Sequence, residues 1–295
     1  RGRDGRLFPT PVDVSWGTML RPDPPLEALN WFERAAVRLV RNMNTGGWQR
    51  FWFPFQREIG GRWISAVVGP GIQVHGLEHV DRTSRERPLL VAANHRSFFD
   101  LYVVMSVLFR RLPGWRAINF PVRGRYFYQK PGGVALNCLA AWWSMYPPFF
   151  HEPKTRRFDQ WALGELASIC REGAGQLVGF HPEGTRHTQA NPYSFLPAQP
   201  GIGRLILDAR PQVIPVFIAG LSNNFAVMLR RRIRPTEPIR VWFGREIDYT
   251  ALLAEPRGAA TYRAVADQVM GEIRALGEED RREMSHEFGR HDPSF

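Results

Sequence analysis

The sequence predicts an α/β protein with a mixed central sheet flanked by helices and an N-terminal amphipathic helical segment. From about residue 70 onward, short apolar runs alternate with stretches whose apolar residues recur at helical spacing. This alternation is typical of strands and helices that pack in layers. Residues 26–68 instead combine helical periodicity with many aromatic and arginine side chains. A hydrophobic fraction of 44% is sufficient for a sizeable core, which excludes a largely disordered chain.

The first 68 residues divide into two segments of different composition. Residues 1–25 are rich in Arg, Gly and Pro and predict an extended arm. In residues 26–68, an apolar helical face alternates with Arg34, Arg38 and Arg41, and aromatic rings then alternate with further arginines. Rings beside guanidinium groups suit the headgroup layer of a bilayer, so this segment is a candidate membrane-interface anchor. The alternative is an amphipathic helix packed on the α/β domain, which we place at residues 69–295.

The elements of that domain follow from the pattern of apolar runs. We expect strands at residues 72–74, 89–93, 116–120, 176–180, 213–218 and 239–243, and helices at residues 97–109, 134–143, 158–171, 201–209 and 262–287. Two apolar stretches, residues 98–109 and 134–150, are too short or too polar to span a bilayer. We expect a buried helix in each.

The charge of the chain favours an anionic partner. A total of 39 basic residues against 28 acidic residues gives a formal net charge of +11, which suits nucleic acid, an anionic membrane or a phosphorylated substrate. No recognition helix or aromatic sheet signature typical of nucleic-acid readers is evident, so we expect no nucleic-acid partner. Cys138 and Cys170 lie in apolar stretches and predict reduced core residues, with no disulfide framework and no metal cluster.

The first chemically informative motif follows the strand at residues 89–93. It contains Asn94, His95 and, five residues after the histidine, Asp100. The end of a strand that opens into a helix is where α/β proteins place reactive groups. If His95 lies outside the helix and folds back, Asp100 can bond one ring nitrogen and leave the other nitrogen free to act as a base.

The second motif follows the strand at residues 176–180 and extends from Pro182 to Arg186. Gly184 permits a tight turn, which would let Glu183 and Arg186 point into one pocket. Arginine suits a phosphate because its planar group donates two parallel hydrogen bonds. A surface turn with a local Glu–Arg pair is the alternative for this segment taken alone.

Together, in this order, the two motifs resemble those of the glycerolipid acyltransferase family, whose best-known members acylate lysophosphatidic acid. That family carries Asn-His-x4-Asp, then Pro-Glu-Gly-Thr-Arg, then an apolar strand containing proline, here at residues 213–216 with Pro215. The resemblance covers roughly residues 70–245. It implies that His95 is the general base and Asp100 its orienting partner. It also implies a set of substrate-binding residues: Asn94, Glu183, Gly184, Thr185, Arg186 and Pro215.

The same resemblance implies the partners of the reaction. The hydroxyl of a lysophospholipid, with 1-acylglycerol-3-phosphate as the first candidate, would attack an acyl thioester directly. Acyl-CoA or acyl carrier protein would be a co-substrate, and no metal or tightly held cofactor is expected. We expect the protein to be peripheral or monotopic on the cytoplasmic face of an anionic membrane, such as the bacterial inner membrane.

Two departures from the family pattern bear on the acceptor. The family usually has a Gly-x-x-Phe-x-x-Arg-like element between its motifs, and residues 145–152 have no arginine, although Arg156 and Arg157 follow. The family also often has Lys-Gly before its last motif, where residues 197–201 differ. Another lyso-lipid or glycolipid acceptor therefore stays open, as does a non-enzymatic protein that binds anionic membranes. The basic stretch at residues 110–130 predicts either contacts to headgroups or coenzyme A phosphates, or a solvated surface.

Overall fold

The fold is known from a computed structural model that describes residues 21–68, 71–224, 226–228, 230 and 238–290. The predicted arm lies mostly outside these residues. In the described part of the arm, Pro22 accepts a hydrogen bond from Trp161 at 2.9 Å, and Arg21 donates to Glu165 at 3.0 Å. Seven strands are present in the residues that the structure describes: β1 Ile72–His75, β2 Leu89–Ala93, β3 Ala117–Arg123, β4 Met145–Phe149, β5 Gln176–Phe180, β6 Gln212–Ala219 and β7 Ile239–Phe243.

Helices surround the sheet in the described ranges, together with a π-helical turn at Gln56–Gly60 and a 3-10 turn at Pro153–Thr155. The α-helices are α1 Trp31–Met43, α2 Gly46–Phe55, α3 Gly61–Val68, α4 Leu77–Asp81, α5 Asp100–Arg111, α6 Gly124–Phe127, α7 Pro131–Ala141, α8 Arg156–Arg171, α9 Pro200–Ala209, α10 Thr250–Leu253 and α11 Ala259–Arg290. Within the described ranges, each helix is too short or too polar to cross a bilayer.

The strands form one mixed sheet in the order β1-β7-β6-β2-β5-β3-β4. Strands β6, β2, β5, β3 and β4 are parallel, whereas β7 is antiparallel to β6 and parallel to β1. The predicted fold class is therefore confirmed. Strand β2 lies between β6 and β5, and all five of its residues are buried. Such continuous apolar strands are typical of parallel sheets that are covered on both faces.

Two hydrophobic layers cover the two faces of the sheet. On one face, Leu90 and Ala92 of β2 pack with buried residues of α1, α8, α9 and α11. On the other face, Leu89, Val91 and Ala93 pack with residues of α3, α4 and α5. This alternation follows from the two-residue period of a strand. Helices therefore lie on both faces, and the carboxyl ends of β2 and β5 are adjacent, because Ala92 is paired with Phe180.

The N-terminal helices are partly integrated into this core. Helix α1 begins with a capping box in which Asn30 accepts from the Glu33 backbone and the Glu33 side chain accepts from the Asn30 backbone. Its inner face includes Val37 and Val40, which are fully buried. The alternative of an amphipathic helix packed on the domain thus holds for α1. The outer surface of this segment nevertheless exposes Trp31, and Trp48 and Phe51 of α2 are more than half exposed.

Three sequence predictions need correction. Helix α5 begins at Asp100 and not at residue 97, because the Asp100 carboxylate accepts backbone N–H groups from the preceding loop. Strand β4 was not predicted because it contains Pro147 and Pro148, which are tolerated there since β4 is an edge strand. The buried helix expected at residues 134–150 is wrong: α7 ends at Ala141, and most of its residues are partly or largely exposed.

Candidate active site

The loop between β2 and α5 carries a histidine–aspartate pair. His95 Nδ1 lies 3.1 Å from Asp100 Oδ2. The same oxygen accepts the backbone N–H groups of Arg96 at 2.6 Å and Ser97 at 2.8 Å. His95 therefore folds back onto the first residue of the helix, as the spacing required. Because an ionised carboxylate only accepts hydrogen bonds, Nδ1 carries the proton and Nε2 keeps a free lone pair.

The electrostatics of the pair favour a neutral imidazole beside a charged carboxylate at neutral pH. Burial, followed by the positive charges of Arg186 and Arg123, lowers the pKa of His95 to about 3. Burial raises the pKa of Asp100 to about 6, since desolvation disfavours the charged form. The His95 side chain is still 19% exposed. Its free nitrogen is thus unprotonated and accessible, as a general base requires.

Glu183, in the second motif, fixes the position of the loop that carries His95. Glu183 is almost completely buried, and its Oε1 accepts from the His95 backbone N–H at 2.9 Å. Its Oε2 accepts from the Leu196 backbone N–H at 2.8 Å. A third link runs from the His187 backbone N–H to the His95 carbonyl at 2.8 Å. The expectation that Glu183 points into a pocket is therefore corrected: its carboxylate fastens the second motif to the first.

The rest of the turn faces a cavity. Gly184 has a φ of +68°, a conformation that favours glycine. Gly184, Thr185 and Arg186 line the cavity together with His95. The Arg186 guanidinium lies 3.7 Å from the centre of the Phe98 ring, and this cation–π contact holds it beside the mouth. The structure therefore brings both predicted motifs to one cavity.

The cavity has a volume of about 420 Å³ and two kinds of lining. Apolar and aromatic side chains, including Leu101, Tyr102 and Phe120, form much of the wall. Arg123 and Arg186 add two cationic groups near His95. Such a mixed lining accommodates a molecule that has an apolar chain and an anionic group. His95 thus faces a cavity that suits a molecule with an apolar chain and an anionic group.

Comparison with known proteins decides the family. A family model described as Acyltransferase matches residues 71–219, which is half of the chain and contains both motifs. The chain belongs to the acyltransferase family. The family predicted from the motifs is confirmed at this level. No curated protein sequence matches the chain significantly. Among solved structures, the 1-acyl-sn-glycerophosphate (LPA) acyltransferase PlsC from Thermotoga maritima is similar, with a TM-score of 0.49 and 14% identity over 84% of this chain and 95% of that chain.

Two of the predicted substrate-binding residues of this acyltransferase lie behind the cavity. Asn94 is fully buried, and its amide donates to the Ile218 carbonyl at 3.0 Å and accepts from the Ile218 N–H at 2.8 Å. Pro215 lies within β6 opposite Ala92 and close to Gly244. Neither residue lines the cavity. The expected substrate contacts are therefore corrected to a supporting role, in which Asn94 ties the end of β2 to β6.

Three cavity residues of the acyltransferase were not predicted as site residues. His181 stacks on His95 with ring centroids 3.8 Å apart and an interplanar angle of 11°. Its Nδ1 lies 2.9 Å from the Ala93 carbonyl, and this contact fixes the ring plane against which the His95 ring packs. The sequence signal was that His181 directly follows the strand predicted at residues 176–180 and directly precedes the second motif. Arg123 and His151 also line the cavity. They were missed because β3 continues to Arg123, beyond the strand predicted at residues 116–120, and because His151 follows β4, which was not predicted.

One cluster in the described residues has the composition of a metal site. Ligand atoms of His95, Asp100 and His181 lie within 4.8 Å of one another. Asp100 Oδ2 already faces three donors, whereas Asp100 Oδ1 is buried without a hydrogen-bond partner. The nearby charges of Arg123 and Arg186 disfavour a divalent cation. A hydrogen-bonded dyad accounts for this cluster, and the expectation of a metal-free site stays a prediction.

Proposed function

We propose that this acyltransferase moves a fatty acyl chain from an acyl thioester to the free hydroxyl of a lysophospholipid, with 1-acylglycerol-3-phosphate as the acceptor and phosphatidic acid as the product. The observation that carries the proposal is the neutral His95 imidazole, held by Asp100, at a cavity with both apolar and cationic walls. An acyl chain suits the apolar wall, and a phosphate monoester suits the guanidinium groups. Acyl-CoA and acyl carrier protein both remain candidate donors.

The proposed reaction needs one proton carrier. His95 Nε2 takes the proton of the acceptor hydroxyl as that oxygen forms a bond to the thioester carbonyl carbon. The tetrahedral intermediate then expels the thiolate, which receives the proton from the imidazolium. Asp100 stabilises the imidazolium through its negative charge, and Arg186 with Arg123 would hold the acceptor phosphate in the same cavity. The ester bond forms and the thioester bond breaks without a covalent acyl-enzyme.

The test is transfer from a long-chain acyl-CoA to a panel of acceptors, with mass-spectrometric detection of products and colorimetric detection of released thiol. Wild type should convert lysophosphatidic acid, and His95→Ala should lose about 10²–10⁴-fold in kcat while its melting temperature is retained. His75→Ala is the matched control, since His75 stacks on Trp242 on β7 and does not line the cavity. Full activity of His95→Ala would defeat the proposal.

A second acceptor class is favoured by one feature of the cavity. The stretch at residues 145–152 has no arginine and contributes His151 to the wall. Arg156 and Arg157 are exposed at the start of α8 and do not line the cavity. A lyso-aminolipid or glycolipid acceptor fits a histidine, which donates single hydrogen bonds, better than it fits an arginine. Preference for lysophosphatidic acid over these lipids in the acceptor panel would exclude this alternative.

The N-terminal segment is proposed to hold the enzyme on an anionic membrane, as a peripheral protein on the cytoplasmic face. Support comes from the exposed rings of Trp31, Trp48 and Phe51, which suit the interfacial layer. Deleting the segment would also remove the buried Val37 and Val40 from the core. Substituting the three exposed rings by serine is the cleaner test. Vesicle binding equal to that of wild type would place the contact elsewhere.

A further inference from the structure

Helix α7 has an inverted distribution of polar residues. Its sequence from Pro131 to Ala141 contains no charged side chain, and its single polar side chain, Asn137, points inward. The Asn137 amide donates to the Met145 carbonyl at 3.2 Å and accepts from the Met145 N–H at 3.3 Å. Leu136 and Leu139 are instead 49% and 69% exposed. A surface helix in water normally has the opposite arrangement, so this face is built for an apolar neighbour.

The exposed face adjoins the mouth of the cavity. Helix α6 precedes α7, and Tyr126 of α6 is 48% exposed, lines the cavity and contacts Phe98 with ring centroids 5.9 Å apart. The two helices approach closely, since a Cβ on Gly133 would lie 2.2 Å from the Tyr126 carbonyl oxygen. The leucines of α7 are therefore fixed with respect to the cavity entrance. Their surface is not separated from the site by a flexible loop.

At its other end, α7 continues into the aromatic surface of the N-terminal helices. Trp142, which follows α7, stacks on Phe55 with ring centroids 5.3 Å apart. Phe55 in turn contacts Phe51 at 5.4 Å. An apolar band thus extends from the exposed ring of Phe51 along α7 to the cavity mouth. The band is exposed at Phe51, Leu136 and Leu139 and half-buried at Phe55 and Trp142, and a group of exposed apolar side chains linked in this way is typical of an interaction surface.

The charges beside α7 indicate the partner. Arg125 in α6 and Lys130 directly before α7 are exposed, and the chain as a whole carries a net charge of +11. Apolar side chains next to cations match the interface of an anionic bilayer, where the chains enter the acyl layer and the cations meet headgroups. A second copy of this chain would place like charges against each other, which is unfavourable.

We propose that residues 124–141 form a membrane-docking rim, in which Leu136 and Leu139 insert into an anionic bilayer and hold the cavity mouth at the interface. This inference rests on the proposed function, because a membrane lipid as acceptor gives the rim its purpose. The rim lets a lysolipid enter from the bilayer and lets the product return to it without crossing water. It lies outside the segment at residues 26–68 and predicts a second, separable membrane contact.

The test compares two doubly substituted variants with wild type. Leu136→Asp/Leu139→Asp places two charges on the rim, and Ala251→Asp/Ala254→Asp places the same charges on exposed sites at and just after α10. Helix α10 lies at the opposite end of the strands from the cavity, since neighbouring Tyr249 bonds the Pro211 carbonyl at the amino end of β6, whereas His95 and His181 follow the carboxyl ends of β2 and β5. A third variant, Leu136→Ala/Leu139→Ala, removes the apolar surface without adding charge. None of these residues lines the cavity.

Two measurements separate docking from catalysis. Partition onto vesicles of phosphatidylcholine with phosphatidylglycerol is measured by co-sedimentation, and acyl transfer is measured with short-chain, monodisperse substrates. Because the bilayer would cover two leucines that are 49% and 69% exposed in water, the aspartate variant should lose roughly 30- to 100-fold in partition. The alanine variant should lose partition as well, by a smaller factor, and the α10 control should match wild type. Turnover of monodisperse substrates should be unchanged in all three variants.

Three outcomes would overturn the docking rim. They are wild-type partition of the aspartate variant, an equal loss in the α10 control, and a change of oligomeric state in the aspartate variant, which would assign the surface to a protein interface. Partition is measured without turnover, so it is tested even if no acceptor is converted. If wild type transfers no acyl chain, the proposed function alone is refuted. If wild type transfers acyl chains normally and the aspartate variant partitions onto vesicles as wild type does, the docking rim alone is refuted.

Discussion

Replacing Asp100 with asparagine separates the charge of the dyad from its geometry. The amide side chain of Asp100→Asn would keep an oxygen that can accept from the Arg96 and Ser97 backbone N–H groups, which lie 2.6 Å and 2.8 Å from Asp100 Oδ2. The loop should therefore stay in place. What the variant loses is the negative charge 3.1 Å from His95 Nδ1. That charge matters most when the imidazole has taken a proton, which happens only in the proposed transition state and intermediate.

The size of the loss follows from this geometry. Two unit charges about 4 Å apart interact by about 4 kcal/mol at an effective dielectric constant of about 20. Since each 1.36 kcal/mol of barrier is a factor of about ten in rate, kcat should fall about 10³-fold. The ground state, in which His95 is neutral, is affected much less. The KM values for both substrates should therefore change little.

The assay is steady-state thiol release from acyl-CoA, together with chemical denaturation to confirm folding. Asp248→Asn is the matched control, because Asp248 also accepts a backbone N–H, from Thr250 at 2.9 Å, but lies beside α10 near the amino end of β6, away from the cavity. The control should retain wild-type turnover. A loss of less than about tenfold in a folded Asp100→Asn protein would refute the argument that this carboxylate stabilises an imidazolium.

Three further predictions follow from the site. The pKa of Asp100 is raised to about 6, whereas that of His95 is lowered to about 3. Because Asp100 takes up a proton as the pH drops through about 6, kcat/KM should fall there. This decrease should be absent from the pH profile of Asp100→Asn. Arg186→Ala should raise the KM for a phosphorylated acceptor about 10- to 100-fold, as expected for a lost charge-assisted hydrogen bond. The KM for a neutral acceptor should stay unchanged. An equal rise in KM for both acceptors would contradict a contact between Arg186 and the phosphate. Asn94→Ala leaves the N–H and carbonyl of Ile218 without their side-chain partners. It should therefore lower the free energy of unfolding, measured by urea denaturation, by about 2–5 kcal/mol. A decrease below about 0.5 kcal/mol would contradict the supporting role of Asn94.

Much of the fold was predictable because parallel strands and their helices have strong local patterns. Strands β2, β5 and β7 begin and end where the apolar runs predicted. The start of α5 was missed because it depends on where one carboxylate finds donors, and hydropathy does not carry that information. Strand β4 was missed because proline is acceptable only at a sheet edge, and edge position is a property of the assembled sheet.

The site was predictable in its motifs and less so in the direction of its side chains. His95, Asp100 and Arg186 lie together as the spacing and the resemblance implied. Glu183 turned inward because two backbone N–H groups, 13 and 88 residues away along the chain, converge on its carboxylate. Asn94 turned inward for an equivalent reason, since its partner is on β6. Contacts of this kind depend on the strand order, which no single sequence segment contains.

The central position of β2 has a consequence for synthesis of the chain. Leu89 pairs with Leu177 on one side and Gln212 on the other, so neither neighbour of β2 exists when β2 leaves the ribosome. Five consecutive apolar residues then stay without strand partners until the second half of the protein has been translated. Such long sequence separation slows folding and prolongs exposure of an aggregation-prone edge. The strand that leads into His95 is thus also an apolar segment of the nascent chain whose strand partners are synthesised late.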